Sequence, residues 1–178
     1  MKLRTNYILE HSRVQGPGDR YTIWVQGCSI RCQDCNNKDT WDFNSGKFFE
    51  VDFLTDNIIK SNVDGVTLTG GEPLDQFESV LKLAKNIFQY KNIFLCSGYY
   101  FPIIQTKFKE ILNFVDIVCS GPFNSSCICT NAQWKGSDNQ QIDYLTKRGE
   151  LVKTIPINKR EYRINKHTGE TIITGFSM

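Results

Sequence analysis

The chain has 178 residues, with 21 Lys and Arg against 19 Asp and Glu, and seven cysteines. This near balance, without any long block of like charge, excludes a strongly basic nucleic-acid surface, and no apolar stretch approaches the roughly 20 residues of a membrane span. Residues 1–6 lead into no long apolar segment of a secretory signal, and seven is an odd count, so reduced or metal-bound thiols in the cytoplasm are expected over a complete disulfide framework. The length suits a single domain over residues 1–178, which at this size buries roughly 70% of its unfolded surface.

Residues 3–10 read as a first strand. The turn Gly16-Pro17-Gly18-Asp19 separates it from the apolar run 21–25, with which it is expected to form an edge hairpin. Directly after that run come Cys28, Cys32 and Cys35, spaced Cys-x3-Cys-x2-Cys. Two kinds of metal site accept this spacing. One is zinc, with Cys96, Cys119, Cys127, Cys129, His11 or His167 as a distant fourth ligand. The other is an iron–sulfur cube given three of its usual four thiolates, which leaves one iron open to a substrate. Spacing alone leaves both standing. Residues 36–46 are polar and irregular except for Trp41 and Phe43, expected in the core, with shielding of the cysteine loop as the second reading.

A short helix is expected over 51–61, then a buried strand over 65–69 that stops at Gly70-Gly71-Glu72-Pro73. Asp75 and Glu78 have the spacing of a capping box. Phe77, Val80, Leu81, Ala84, Ile87 and Phe88 recur at helical spacing, which predicts a helix over 75–89. Residues 92–96 read as the next buried strand, ended by Ser97-Gly98. Pro102 opens a helix with Ile104, Phe108, Ile111 and Leu112 on one side, and residues 115–119 form a strand closed by Ser120-Gly121-Pro122. This repetition of strand, loop and helix predicts an α/β fold with right-handed crossovers and a parallel sheet covered by helices. A full eight-unit barrel takes roughly 250 residues, so the chain can build only an incomplete (β/α) barrel. The cysteine loop, Gly70–Pro73, Ser97-Gly98 and Ser120-Gly121 all follow carboxyl ends of strands, the face on which such folds bind ligands. Towards the end, a polar loop over 136–141, a helix reaching 146, a strand over 151–157 and a C-terminal β-hairpin of 161–165 with 170–174 complete the expectation.

The cysteine triad after an early strand, with Gly70-Gly71-Glu72-Pro73 after the next buried one, resembles the radical S-adenosylmethionine superfamily. Further segments narrow the likeness: Gly16-Pro17-Gly18-Asp19-Arg20, Trp24-Val25-Gln26-Gly27-Cys28, Thr40-Trp41-Asp42-Phe43, Asp116 with Ser120-Gly121-Pro122-Phe123, and Trp134-Lys135-Gly136-Ser137-Asp138-Asn139-Gln140. These are similar to the activating proteins of anaerobic ribonucleoside-triphosphate reductases. The resemblance implies that Cys28, Cys32 and Cys35 hold a 4Fe-4S cluster whose fourth iron binds S-adenosylmethionine. It also implies that Gly70, Gly71, Glu72 and Pro73 meet the methionine end, with Asp34, Asn36, Ser97 and Gly98 lining the rest of the cofactor pocket. No catalytic side chain is implied beyond the cluster and S-adenosylmethionine. The implied reaction splits S-adenosylmethionine to a 5′-deoxyadenosyl radical and leaves a glycyl radical on the reductase, fed by a low-potential donor such as flavodoxin or ferredoxin, with no nucleic-acid or membrane partner. Two alternatives stay open: the same chemistry on a small molecule or peptide, as in deazaguanine synthase-like relatives, and a zinc-binding or electron-transfer module. Asp34 stands where many relatives carry an aromatic residue. Cys127-Ile128-Cys129 lies outside what the resemblance explains and is expected to be free thiols, while Cys96 and Cys119 read as core cysteines.

Overall fold

The computed structural model describes residues 1–129, 134–154, 160–164 and 171–175. Its elements in chain order are β1 (Lys2–Ser12), β2 (Arg20–Val25), β3 (Lys47–Glu50), α1 (Val51–Lys60), β4 (Gly65–Gly70), α2 (Phe77–Ile87), β5 (Asn92–Ser97), α3 (Phe101–Lys107), β6 (Ile117–Ser120), β7 (Gln141–Tyr144), α4 (Lys147–Leu151), β8 (Arg160–Ile164) and β9 (Thr171–Gly175). The first seven strands form one sheet in the order β3-β1-β2-β4-β5-β6-β7. Its centre, β2-β4-β5-β6, is parallel, and β1, β3 and β7 are added antiparallel at the flanks. The architecture is therefore mixed α/β around a largely parallel sheet.

Successive side chains of a strand point to opposite faces, and here the two faces differ. Ile23, Val25, Val66, Leu68, Ile93, Leu95 and Val118 pack with Leu54 and Ile58 of α1, Leu83 and Ile87 of α2 and Ile104 of α3 in one core. The intervening residues Phe94, Ile117 and Cys119 form a second, smaller cluster with Trp134, Ile142, Tyr144 and Val152. Helices α1, α2 and α3 thus cover a single face. The expectation of a sheet wrapped in helices narrows to one side, because the second face carries Trp24, Thr67 and Thr69 rather than a continuous aliphatic surface.

Two buried charges pin the sheet. Arg20, fully buried at the start of β2, donates from Nε to Thr67 Oγ1 at 3.1 Å, from Nη1 to Asn92 Oδ1 at 2.9 Å and to the Pro17 carbonyl at 3.3 Å, and from Nη2 to the carbonyls of Val66 and Asn92. Burial pushes this guanidinium down to about 9 despite the attraction of Asp116. Asp116, also fully buried, accepts from the Ile93 N–H at 2.8 Å, from Arg148 Nε at 3.0 Å and Nη2 at 2.8 Å, and from Thr146 Oγ1. It joins β5 to the segment leading into α4.

Several local expectations are corrected. β1 is not an edge, since β3 pairs outside it, and the sequence reading had no β3. The predicted helix over 75–89 begins as a 3-10 turn at Pro73–Gln76 and becomes α-helical only at Phe77. The segment before Thr146 is strand β7, because alternation lets Ile142 and Tyr144 reach the smaller cluster. Where a strand was expected from 151, the chain instead completes α4 and a 3-10 turn, and residues 155–157 lie outside the described ones. β8 and β9 pair antiparallel, with Tyr162 opposite Ile173, and the expected turn between them, 166–169, also lies outside the described residues. Among the described residues no helix is long and apolar enough to cross a membrane.

Replacing Arg20 by Met strips the donors from Thr67 Oγ1, Asn92 Oδ1 and three carbonyls while keeping much of the volume. The expected cost is on the order of 3 kcal/mol, read as a lowered midpoint in urea unfolding followed by circular dichroism.

Candidate functional site

The cysteine loop leaves the carboxyl end of β2 and turns twice through left-handed backbone. Arg31 (φ 49°) and Asp34 (φ 58°) stand immediately before Cys32 and Cys35, at about 1–2 kcal/mol each for residues other than glycine. The turns are held from outside. Gln26 is buried, and its Nε2 donates to the carbonyls of Asp39 at 3.1 Å and Asp42 at 2.8 Å. The Cys28 N–H reaches the Trp41 carbonyl at 3.3 Å. Asp75 accepts from the Ser29 N–H at 2.6 Å and from Ser29 Oγ at 2.8 Å, and Tyr99 OH donates to the same carboxylate at 3.1 Å.

Asp75 is therefore not the helix cap that its spacing suggests. The cap is Glu72, whose Oε1 accepts from the Leu74 N–H at 2.9 Å and from Ser97 Oγ at 2.9 Å, while Oε2 accepts from the Gly98 N–H at 2.7 Å. This carboxylate is 1% exposed. Burial pushes it up to about 7, against the pull of those three donors, and the neighbouring Asp75 adds to the rise.

Gly70 and Gly71 were expected to admit a ligand closely. They admit the chain itself: a Cβ on Gly70, which has φ 102°, would lie 2.6 Å from Trp24 Cα, and one on Gly71 would lie 2.2 Å from the Gly27 carbonyl oxygen. That approach lets the Gly71 N–H bond the Val25 carbonyl and the Glu72 N–H bond the Gly27 carbonyl, both at 2.9 Å. The loop after β4 is thereby fastened to the loop after β2.

Cys28, Cys32, Cys35, Gly70, Gly71, Glu72, Ser97 and Gly98 line one cavity of about 130 Å³, together with Asn37, Trp41, Cys96, Phe123 and Gln140. Of the other expected residues, Asn36 lines two adjoining cavities instead. Pro73 is buried at the first position of its 3-10 turn. Asp34 turns its carboxylate to Ser125 Oγ at 2.7 Å. From sequence, Tyr99 is expected beside the pocket with Ser97 and Gly98, and Gln26 and Phe123 stand only within segments that carry the resemblance, with no role of their own; Asp75 reads as a helix cap, which gives it the wrong partner.

The three thiols fit a cluster. Burial pushes the Cys28 thiol up, opposed by main-chain groups of Arg31 and Ile30, and likewise Cys32, opposed by Phe123. The Asn37 N–H lies 3.3 Å from Cys35 Sγ. Dehydrated sulfurs met by main-chain donors are the surroundings that tune iron–sulfur centres. Among the described residues no three His, Cys, Asp or Glu side chains gather into a group able to hold one metal ion. A tetrahedral zinc with Zn–S of about 2.3 Å needs sulfurs about 3.8 Å apart, whereas a cube takes one thiolate per iron and is served by thiols set around a cavity wall. None of the seven cysteines, all among the described residues, is in a disulfide. Cys127 and Cys129 line none of these cavities, while Cys96 reaches the cavity wall, where burial pushes its thiol up to about 12.

Residues 14–143 match the family described as a 4Fe-4S single cluster domain. The anaerobic ribonucleoside-triphosphate reductase-activating protein of Enterobacteria phage T4 is 35% identical over 137 residues, covering 72% of this chain and 86% of its own length. Its namesake in Escherichia coli (strain K12) is 31% identical over 144 residues, covering 74% of this chain and 92% of its own. This chain belongs to the family of anaerobic ribonucleoside-triphosphate reductase-activating proteins. Among solved structures, the crystal structure of QueE from Escherichia coli superposes with a TM-score of 0.47 at 19% identity, over 55% of this chain and 53% of that one. The stretch matched to the 4Fe-4S domain takes in the cysteine loop and the loops after β4, β5 and β6, and it ends before β8 and β9.

As a member of this activating-protein family, the chain is expected to lose its site when the clasp between the first two loops is disturbed. Gly71→Ala drives a methyl group into the Gly27 carbonyl, so anaerobic reconstitution is expected to yield well under the about four irons per chain of an intact cube, measured by iron and sulfide content.

Proposed function

We propose that the chain is a radical S-adenosylmethionine enzyme that installs a glycyl radical on an anaerobic ribonucleoside-triphosphate reductase. The observation that carries this reading is the gathering of three thiols, two glycines, Glu72, Ser97 and Gly98 on one cavity, in a chain whose relatives are named activating proteins of that reductase. The one-sided sheet is read as an incomplete (β/α) barrel within a single domain, the face opposite α1, α2 and α3 its lumen, with β8 and β9 as a terminal hairpin. Seven cysteines without a disulfide suit work in the reducing cytoplasm, with a low-potential donor such as flavodoxin or ferredoxin.

Cys28, Cys32 and Cys35 would hold a 4Fe-4S cluster, leaving its fourth iron for the amino and carboxylate groups of S-adenosylmethionine. When bound and reduced, the cluster would supply the one electron that cleaves S-adenosylmethionine to methionine and a 5′-deoxyadenosyl radical able to take a hydrogen atom from a glycine of the reductase. The protein's own part is placement. Glu72 has one acceptor position left after its three bonds, and a carboxylate facing an ammonium forms a charged hydrogen bond of roughly 1.5–3 kcal/mol. Ser97 and Gly98, tied to the same carboxylate, keep the third loop in register with the first two. Asp34 and Asn36 flank the third cysteine and would meet the nucleoside side through backbone and amide groups.

With the cluster loaded, a low-potential reductant and S-adenosylmethionine are expected to give 5′-deoxyadenosine, and addition of the reductase a glycyl radical signal by electron spin resonance; a silent reductase would refute the assignment. Cys28→Ala, Cys32→Ala and Cys35→Ala should each abolish the intact cluster, while Cys127→Ala keeps it, as iron content and visible absorption will tell. Because only the ionised Glu72 pairs with an ammonium, affinity for S-adenosylmethionine should climb as pH rises from about 5.5 through 7, and titration calorimetry on Glu72→Gln should give a flatter and weaker profile.

A further inference from the structure

The ribbon of β8 and β9 stands outside the family-matched stretch, and it borders a cleft. A cavity of about 700 Å³ opens between it and the near side of the sheet, lined by Asn6, Gln15, Asn36, Asn37, Arg160 and Thr174 among others. Through Gln15, Trp24, Asn36, Asn37 and Gly175 this cleft runs on into a cavity of about 210 Å³ that reaches Cys35 and Cys96. Through Cys35, Asn37 and Thr69 that cavity in turn adjoins the 130 Å³ cavity of the three thiols. The chambers shrink in volume at each step, and Asn37 borders all three.

The ribbon itself presents an unusual face. Tyr162 and Ile173 are register partners, and Ile164 lies two residues along, so all three stand on one side of the ribbon. They are 59%, 60% and 67% exposed in the order Tyr162, Ile173, Ile164. Arg160 shares that side, and both Arg160 and Ile173 line the cleft. On the other side Glu161 Oε2 accepts from Ser12 Oγ at 3.1 Å and from the Arg13 N–H at 3.3 Å. That clasp fixes the ribbon to the end of β1; of its apolar side Ile173 lines the cleft, while Tyr162 and Ile164 stand exposed on the same side of the ribbon.

We propose that this cleft and the Tyr162, Ile164 and Ile173 face of the ribbon bind an extended, glycine-containing segment of the protein substrate and lead it to the thiol site. The proposal rests on the activase reading and adds to it where the partner is held. An extended strand offers main-chain amides that Asn and Gln side chains pair in both directions, and alternate side chains that an apolar strip can grip, the usual arrangement when a peptide is bound in extended form. The smallest volume, at the thiol site, suits a residue without a side chain at the innermost position.

The test uses the full-length, cluster-loaded protein and a fluorescent synthetic peptide carrying the glycine-bearing segment of the reductase. In the double variant Tyr162→Ser with Ile173→Ser, both positions being exposed, iron content and reductant-driven 5′-deoxyadenosine release without reductase should match the wild type. Peptide affinity by anisotropy should fall at least tenfold, and the KM for the reductase should rise by a similar factor. Unchanged peptide affinity in the variant, or no binding of the peptide to the wild type, overturns the cleft. The activase reading fails separately, if wild-type protein releases 5′-deoxyadenosine yet leaves no radical on the reductase.

Discussion

The Glu72 carboxylate joins loops that leave two strands of the sheet, and through its own main chain it grips a third. Its oxygens bond Leu74, Ser97 and Gly98, and its N–H bonds Gly27 beside the first cysteine. A buried carboxylate without such partners would be costly; with three donors it becomes the fixed point around which the site is arranged. Moving any one loop breaks a bond to a group that water cannot reach, so the cysteine loop, the glycine pair and the Ser97-Gly98 turn shift together or not at all.

The same economy of buried polar groups recurs where the parallel strands begin. Arg20 spends its donors on Thr67, Asn92, Pro17 and Val66, and Asp116 collects Ile93, Thr146 and Arg148. Polar pins of this kind specify register, because a one-residue slip turns every side chain to the opposite face. Register here decides function directly. It places the carboxyl ends of β2, β4 and β5 level, and the loops that carry Cys28, Glu72 and Ser97 start from those ends.

Much of this was legible in the residues. The apolar runs over 65–69, 92–96 and 115–119 stop at a glycine or a serine, and that over 21–25 at Gln26-Gly27, which located four parallel strands and the loops that meet at the site. The cysteine spacing and Gly70-Gly71-Glu72-Pro73 gave the chemistry. What stayed hidden is tertiary. Asp75 reads locally as a cap, yet its partner Ser29 is 46 residues away. β7 has four residues and becomes a strand only because β6 offers an edge. Gly70 and Gly71 were expected to meet the methionine end of the cofactor, but the atoms that crowd them belong to Gly27 and Trp24, which no periodicity announces.

Helices α1, α2 and α3 cover only one face of the sheet, and over the other lie Trp134, the 3-10 turn at Val152 and the ribbon of β8 and β9. A roof that contributes nothing to strand register or to the clasp between loops can be exchanged in evolution without retuning the reactive centre beneath it. Divergence in partner choice and preservation of radical chemistry then become separable problems, solved by different stretches of the same polypeptide.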